Sequence, residues 1–275
     1  MEYGLRIATL GGASRSPREL DAAVMRDLYP EAPLKALYFG TEFCQHLLPG
    51  IKDAETFCAH CAEHDLEAVL LTPLVTRTGL NRLCRLLAGL ARRGWSPAVV
   101  FNDWGVLELL RTTHPTLPLR MGRLMNRGLR DPRLEMQAAA PAGENTQRGA
   151  NIRRLAATLG VIAVETDADL DPGYLGTGAE GMSRTLHVPY TFASSGRNCL
   201  EKAAAAPAGR GLFTQGLTSG CTAPCRGVCH QEHRQDTQKT LWRAGNTLFF
   251  EAPARWIARH LPLADRVVFH PRPMP

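Results

Sequence analysis

The feature that most constrains the fold is a series of short, continuous apolar runs separated by amphipathic stretches. Strands that are buried on both faces, as in a parallel sheet, have continuous apolar runs rather than alternating ones. Between two such runs, the segment Leu80–Arg93 places Leu80, Leu83, Leu87 and Leu90 on one helical face. The pattern predicts strands that alternate with helices. The predicted strands are Leu5–Leu10, Ala36–Phe39, Ala68–Leu71, Ala98–Phe101, Leu117–Met121, Val161–Glu165, Thr185–Val188 and a last one at either Leu248–Phe250 or Val267–Phe269.

About eight such units fit in a chain of 275 residues, which is the length of a TIM-type (β/α)8 barrel. We therefore expect a single α/β barrel domain over residues 1–275, regular or incomplete. A doubly wound open sheet is the alternative. Two stretches rich in Ala, Gly and Pro, near 137–149 and 203–220, are predicted to be long surface loops.

The net charge and the first residues of the sequence bear on the partners and the compartment that we expect for the protein. The net charge is +6 and the pI about 9.0, which permits contact with RNA, although no dense run of basic residues occurs. The first residues lack the pattern of a secretory signal, and no apolar run reaches the roughly 18 residues of a membrane span. We expect a cytoplasmic protein without a membrane span, whose thiols stay reduced.

Three cysteines lie close together in the segment Cys221-Thr-Ala-Pro-Cys225-Arg-Gly-Val-Cys229. Thiolates are soft ligands that suit iron–sulfur clusters and zinc, and a loop with Pro and Gly can bend around a cluster. From the residues alone, an iron–sulfur cluster and a zinc site are both compatible with this segment. A separate pair, Cys58 and Cys61, has the spacing of a zinc ligand pair, but it lies in a helix-like segment, where two cysteines facing the core are the more common arrangement.

Polar residues follow several predicted strands, where the functional loops of a barrel begin. They are Gly40–Glu42 with Cys44, Asn102–Asp103, Gly122–Arg123, Glu165–Thr166 and the segment Tyr190–Cys199. Asp103 and Thr166 are also residue types that cap helices, so capping and function are equal alternatives for these two residues.

Two of these segments resemble a known family. The segment Tyr190-Thr-Phe-Ala-Ser-Ser-Gly-Arg-Asn-Cys199, followed by Gly220-Cys-Thr-Ala-Pro-Cys225-Arg226, is similar to the signature of the collagenase-like peptidase family U32. Leu37–Cys44 is similar to a strand and loop of its UbiV-like branch. This chain departs from the pattern in Asn198, which separates Arg197 from Cys199, and in the additional Cys229.

The resemblance implies a cofactor and its ligands. Members of the family are iron–sulfur proteins, and the order of cysteines in the UbiV-like branch, carried over, gives a [4Fe–4S] cluster held by Cys44, Cys199, Cys221 and Cys225. Cys229 is the alternative fourth ligand. The resemblance also makes Arg197, His187 and Asn102 candidates for substrate binding, with an ordinary structural role as the alternative for each.

The resemblance also implies a function. It suggests a component of oxygen-independent hydroxylation that acts on a ubiquinone-type precursor, a small or lipid-quinone molecule, in a heterodimer with a UbiU-like family member. Whether the chain is itself the catalyst stays open. Hydroxylation of tRNA or rRNA bases is the alternative. A peptidase is less expected, because the sequence lacks the HExxH and G-x-S-x-G motifs.

Overall fold

The computed structural model describes residues 1–8, 10, 33–126, 142–169, 182–205, 211, 220–235 and 239–275, with side chains of the helix at 142–158 described from residue 150. Eight of its strands form a closed parallel barrel. They are β1 Glu2–Arg6, β2 Leu34–Gly40, β3 Glu67–Leu71, β4 Ala98–Phe101, β5 Leu119–Met121, β6 Val161–Asp167, β7 Ser183–Val188 and β12 Arg266–Phe269. Each strand pairs in parallel with the next in the order β1-β12-β7-β6-β5-β4-β3-β2. The predicted TIM-type barrel is confirmed, and the open sheet is excluded.

A second, antiparallel sheet interrupts the barrel between β7 and β12. Its strands are β8 Tyr190–Ser195, β9 His230–Arg234, β10 Lys239–Ala244 and β11 Thr247–Glu251, in the order β8-β11-β10-β9. The sequence analysis did not anticipate this sheet. Of the two candidates for the last barrel strand, Val267–Phe269 lies in β12, whereas Leu248–Phe250 lies in β11.

The described helices surround the barrel and bury one face each. They are α1 Ile51–Glu63, α2 Arg77–Arg92, α3 Trp104–Thr113, α4 Ala142–Thr158, α5 Leu200–Ala204 and α6 Ala254–His260. The predicted helix at 80–93 corresponds to α2, which buries Leu83, Leu87 and Leu90. Among the described residues, no helix combines the length and apolarity that a membrane crossing requires.

The two predicted surface loops fall partly in helices and partly outside the described residues. The long loop predicted over 137–149 is wrong for residues 142–149, because they form the start of α4, and residues 137–141 lie outside the described part of the chain. Residues 142–149 include Gly143, Asn145 and Gly149, whose helix propensity is low, so their composition gave no signal of a helix. Of the loop predicted at 203–220, residues 203–204 end α5 and most of the remainder lies outside the described residues.

The two candidate caps differ. The Asp103 carboxylate accepts hydrogen bonds from the backbone N–H groups of Gly105 and Val106, so Asp103 is the N-cap of α3. Thr166 lies within β6, and its hydroxyl donates to the carbonyl oxygen of Thr185 at 2.9 Å.

A buried polar chain crosses the interior of the barrel. The Glu165 carboxylate accepts from Arg120 Nε at 2.6 Å and from His187 Nε2 at 2.7 Å. The other ring nitrogen of His187, Nδ1, lies 2.7 Å from His270 Nε2. All four side chains are at most 4% exposed. Burial would raise the pKa of Glu165, but the Arg120 charge and the bond from His187 outweigh it and lower the pKa to about 2.

Replacing Glu165 with glutamine should destabilise the fold in a pH-dependent way. The variant removes the nearest carboxylate from the buried Arg120 charge and leaves it, among the described carboxylates, only the more distant one of Glu67, at 3.9 Å, so we expect a loss of roughly 3 kcal/mol in the free energy of unfolding at pH 7. Because the pKa of Glu165 is lower in the folded state, its contribution is full above about pH 4.5 and is lost as the pH falls towards about 2. Urea unfolding of parent and variant across this range measures the shrinking difference.

The matched control is Glu55→Gln, which removes a carboxylate from the exposed pair with Arg93 at 3.2 Å. An exposed pair contributes less than about 1 kcal/mol. Equal losses in the two variants, or a difference for Glu165→Gln that does not change with pH, would contradict the assigned role.

Candidate metal centre

Four cysteines line one cavity of about 600 Å³ between the barrel and the antiparallel sheet. Cys44 comes from the loop after β2, Cys199 from the loop between β8 and α5, and Cys221 and Cys225 from the loop before β9. Cys199 and Cys225 are buried, and Cys44 and Cys221 are half-buried. Residues that lie up to 181 positions apart in the sequence therefore converge on one space.

Two of these thiols lie at the start of a helical segment. Cys44 is the N-cap of the 3-10 turn Gln45–Leu47, and Cys199 is the N-cap of α5. The backbone N–H groups of residues 46 and 47 act to lower the pKa of the Cys44 thiol, and those of residues 201 and 202 act to lower the pKa of the Cys199 thiol. The first N–H groups of a helix have no partner inside the helix, so they are free to stabilise a thiolate.

The loop that carries the other two cysteines turns tightly. Gly220, Ala223 and Gly227 have φ of 82°, 57° and 79°, in the left-handed region. The turn brings the N–H of Ala223 to 3.3 Å from Cys221 Sγ, where it donates a hydrogen bond. A backbone N–H that donates to sulfur is the kind of contact that tunes the sulfur ligands of iron–sulfur clusters.

The four thiols influence one another's ionisation. The hydrogen bond from Cys225 lowers the pKa of the Cys199 thiol to about 6, although burial opposes this shift. The same bond and burial raise the pKa of Cys225. Burial raises the pKa of Cys44, and the negative charges of Cys199 and Cys221 add to this rise. Without a cation, the cavity therefore favours one thiolate and opposes a second one.

Cys229 has a different environment. It packs beside the buried cluster of Phe43, Phe192 and Phe249, and it does not line the cavity. Burial raises the pKa of Cys229, and the charges that oppose this rise belong to Arg272 and Arg243 rather than to another cysteine. The arrangement brings Cys44, not Cys229, to the other three thiols.

The spacing of the thiols differs from that of a site for one metal ion. Thiolates around a single zinc, at about 2.3 Å from the metal, lie roughly 4 Å from one another. Within the described residues, no three cysteine sulfurs lie within 4.8 Å of one another. In a four-iron cluster each thiolate binds a different iron, so the sulfurs lie farther apart. Cys58 and Cys61 lie elsewhere: they belong to α1 and are buried in the hydrophobic core.

Basic side chains surround the cysteines. Arg82, Arg197, Lys202 and His46 all line the cavity. Arg82 donates to the carbonyl oxygens of Leu48 and His46, which fixes it against the loop of Cys44. Desolvation and the charges of Lys202 and Arg82 lower the pKa of His46. The wall therefore suits an anionic cofactor or ligand.

Arg123 connects the loop of Cys44 to both sheets. Its guanidinium, which is completely buried, pairs with the carboxylate of Glu42 and donates to Asp167 at 2.8 Å. It also donates to the carbonyl oxygen of Tyr190 at 3.3 Å, at the start of β8. Its charge lies 5.4 Å from the centre of the Phe43 ring. Glu42 and Phe43 directly precede Cys44, so Arg123 fixes the position from which that cysteine enters the cavity.

Asn246 holds the same loop from the other side. Its side-chain amide donates to the carbonyl oxygens of Phe43 at 2.7 Å and Gly196 at 2.6 Å. Gly245 and Asn246 form the two-residue turn between β10 and β11. A Gly-Asn pair is a recognisable hairpin signal, so this turn was detectable in the sequence, although its contact with the cysteine loop was not.

The three predicted substrate residues lie in different places. Arg197 is exposed and lines the cavity. His187 is buried inside the barrel in the chain with Glu165. Asn102 is also buried, donates to the carbonyl oxygen of Thr72 and accepts from the N–H of Leu124. Only Arg197 lies where a ligand beside the cysteines would contact it. The sequence analysis did not single out Lys202 or Arg82, because isolated basic residues carry no pattern.

Fold and site together define a TIM-type barrel with an inserted antiparallel sheet and a cysteine-lined cavity at their junction. The structure of a U32 peptidase, Mk0906, aligns with 100% of this chain and 94% of its own at a TM-score of 0.49 and 13% identity. The spore cortex-lytic enzyme SleL of Bacillus megaterium QM B1551 aligns with 98% of this chain and 70% of its own, at a TM-score of 0.37 and 9% identity. No family model and no curated protein matches the sequence.

A side chain at Gly245 should disturb the cavity specifically. Gly245 has a φ of 60°, and an added Cβ would lie 3.2 Å from Cys225 Sγ. We expect Gly245→Ala to destabilise the fold by about 1 kcal/mol through backbone strain and also to displace the Cys225 thiol, which weakens binding of any metal held there. Urea unfolding and the metal content after purification measure the two effects.

Gly160→Ala is the matched control. Gly160 has a similar φ of 71°, but nothing lies within 4 Å of an added Cβ. The Gly160→Ala variant should show the same loss of stability, whereas its metal content should equal that of the parent. Equal metal content in the two variants would contradict the contact between the turn and the thiol.

Proposed function

We propose that this chain binds a [4Fe–4S] cluster through Cys44, Cys199, Cys221 and Cys225. The observation that carries the proposal is the convergence of these four thiols on one cavity, where a backbone N–H also donates to Cys221 Sγ. Soft thiolates and tight Gly-bearing turns are the features that suit such a cluster.

The residues of the chain would perform separate tasks around the cluster. The helix starts after Cys44 and Cys199 stabilise thiolates, and the aromatic side chains of Phe43 and Phe192 exclude water from one side. Lys202 and Arg197 balance negative charge at the cavity wall. When bound, the cluster supplies one-electron transfer or activation of a ligand at an iron.

We further propose that the chain belongs to family U32 and acts in its UbiV-like role, as a component of oxygen-independent hydroxylation of a ubiquinone-type precursor. The Tyr190–Cys199 and Gly220–Arg226 segments that resemble the family signature are the segments that reach the cavity. A cavity of about 600 Å³ has room for a small organic molecule beside the thiols. The exposed Arg197 is placed to bind an acidic group of that molecule. A UbiU-like partner completes the heterodimer in this proposal.

Metal analysis of single variants tests the cluster. Protein purified without oxygen should contain about four iron and four sulfide per chain. Cys44→Ala should lower both strongly, because it removes a thiol from the cavity, whereas Cys229→Ala and Cys84→Ala should retain both. Stoichiometric zinc without iron, or loss of iron in Cys229→Ala with full retention in Cys44→Ala, would contradict the ligand set.

Lipid analysis tests the proposed role. A strain that lacks this chain should lose ubiquinone during anaerobic growth and keep it in air, as measured by mass spectrometry of extracted quinones. A plasmid with the parent chain or Cys229→Ala should restore it, and one with Cys221→Ala should not. Normal anaerobic ubiquinone in the deletion strain would contradict the role while leaving the cluster proposal intact.

A further inference from the structure

A second group of metal-ligating side chains lies at the end of α1, outside the cysteine cavity. His60 and Glu63 belong to the last turn of the helix, and His64 follows it directly. Residues three and four positions apart lie on one helical face. One ring nitrogen from each histidine and a carboxylate oxygen of Glu63 all lie within 4.8 Å of one another. Within the described residues, this is the one group of His, Cys, Asp or Glu with that spacing.

Each ring has a nitrogen that is available to a metal ion. His64 Nδ1 lies 2.8 Å from the carbonyl oxygen of His60. A carbonyl oxygen only accepts, so Nδ1 carries the proton and Nε2 keeps a free lone pair. Histidines that bind metals commonly donate their other ring N–H to a backbone carbonyl in this way. Among the described residues, His60 Nε2 is buried and has no hydrogen-bond partner.

We propose that His60, Glu63 and His64 form a binding site for one zinc ion. Two imidazoles and one carboxylate are a common set of zinc ligands, and one ligand atom of each residue already lies within 4.8 Å of the other two. Magnesium and calcium prefer sites made only of oxygen. Glu63 and His64 are exposed and His60 is half-buried, so the ion enters from solvent and keeps water in its remaining positions.

The residue order His-x-x-Glu-His also occurs in a class of zinc peptidases, where the glutamate acts as the base. Here a Glu63 carboxylate oxygen lies within 4.8 Å of a nitrogen of each ring, as close as a ligand of the same ion would lie. No further His, Cys, Asp or Glu in the described part of the chain joins the group. The site therefore binds zinc without a preformed catalytic arrangement, and the ion links the last turn of α1 to the residue that follows it.

Zinc titration of the cluster-loaded protein, in the absence of oxygen, tests the site. One equivalent of zinc should bind, and X-ray absorption at the zinc edge should show imidazole and oxygen ligands without sulfur. His60→Ala and His64→Ala should each weaken binding at least about tenfold, and Glu63→Gln severalfold. His114→Ala is the matched control, because His114 likewise follows the last turn of a helix but belongs to no such group, and it should bind zinc like the parent.

The outcomes are distinct. Absence of zinc binding, sulfur in the ligand shell of the bound zinc, or equal affinity in His60→Ala and the parent would each overturn the proposal. Circular dichroism of each variant establishes that the helix is retained. The result does not depend on the cysteine ligand set, because the absorption spectrum separates nitrogen and oxygen ligands from sulfur.

Discussion

The buried guanidinium of Arg123 is the interaction on which the arrangement of the site depends. A charge that is completely buried is tolerated only when it is paired, and the partners of Arg123 come from three places in the sequence. Glu42 follows β2, Asp167 ends β6, and the Tyr190 carbonyl begins β8. Pairing one arginine thus orients the barrel, the inserted sheet and the loop of Cys44 together, since moving any of them leaves a buried charge unpaired.

The cysteine cavity exists because two sheets meet. The barrel supplies Cys44, and the inserted segment between β7 and β12 supplies Cys199, Cys221 and Cys225. Barrels usually place function in the loops after their strands, and Cys44 follows that rule. The other thiols lie in an insertion after the seventh strand, so most of the cysteines of the cavity come from outside the barrel.

Much of the fold could be predicted, for a physical reason. Barrel strands are covered on both faces, which favours continuous apolar runs, and six of the predicted runs coincide with strands β2 to β7. The first prediction, Leu5–Leu10, overlaps β1 only at Leu5 and Arg6, and the last barrel strand was one of two alternatives. The inserted sheet lacks this signal. Its strand β9, His-Gln-Glu-His-Arg, is polar throughout and is held by pairing with β10 rather than by burial. Residues 142–149 were predicted to be a loop because two glycines and an asparagine lower their helix propensity, yet they begin α4.

The sequence by itself determined the parallel barrel and the cysteine-rich loop, because burial periodicity and ligand spacing are local properties. Only the tertiary structure decided which thiols meet. Cys229 is close to Cys225 in the sequence yet packs against Phe43 and Phe192, whereas Cys44, far away in the sequence, faces the cavity. The tertiary structure likewise places His187 in the interior of the barrel and Arg197 at the cavity wall. The closure of the barrel and the pairing of buried charges set these distances, and both depend on contacts between residues that are remote along the chain.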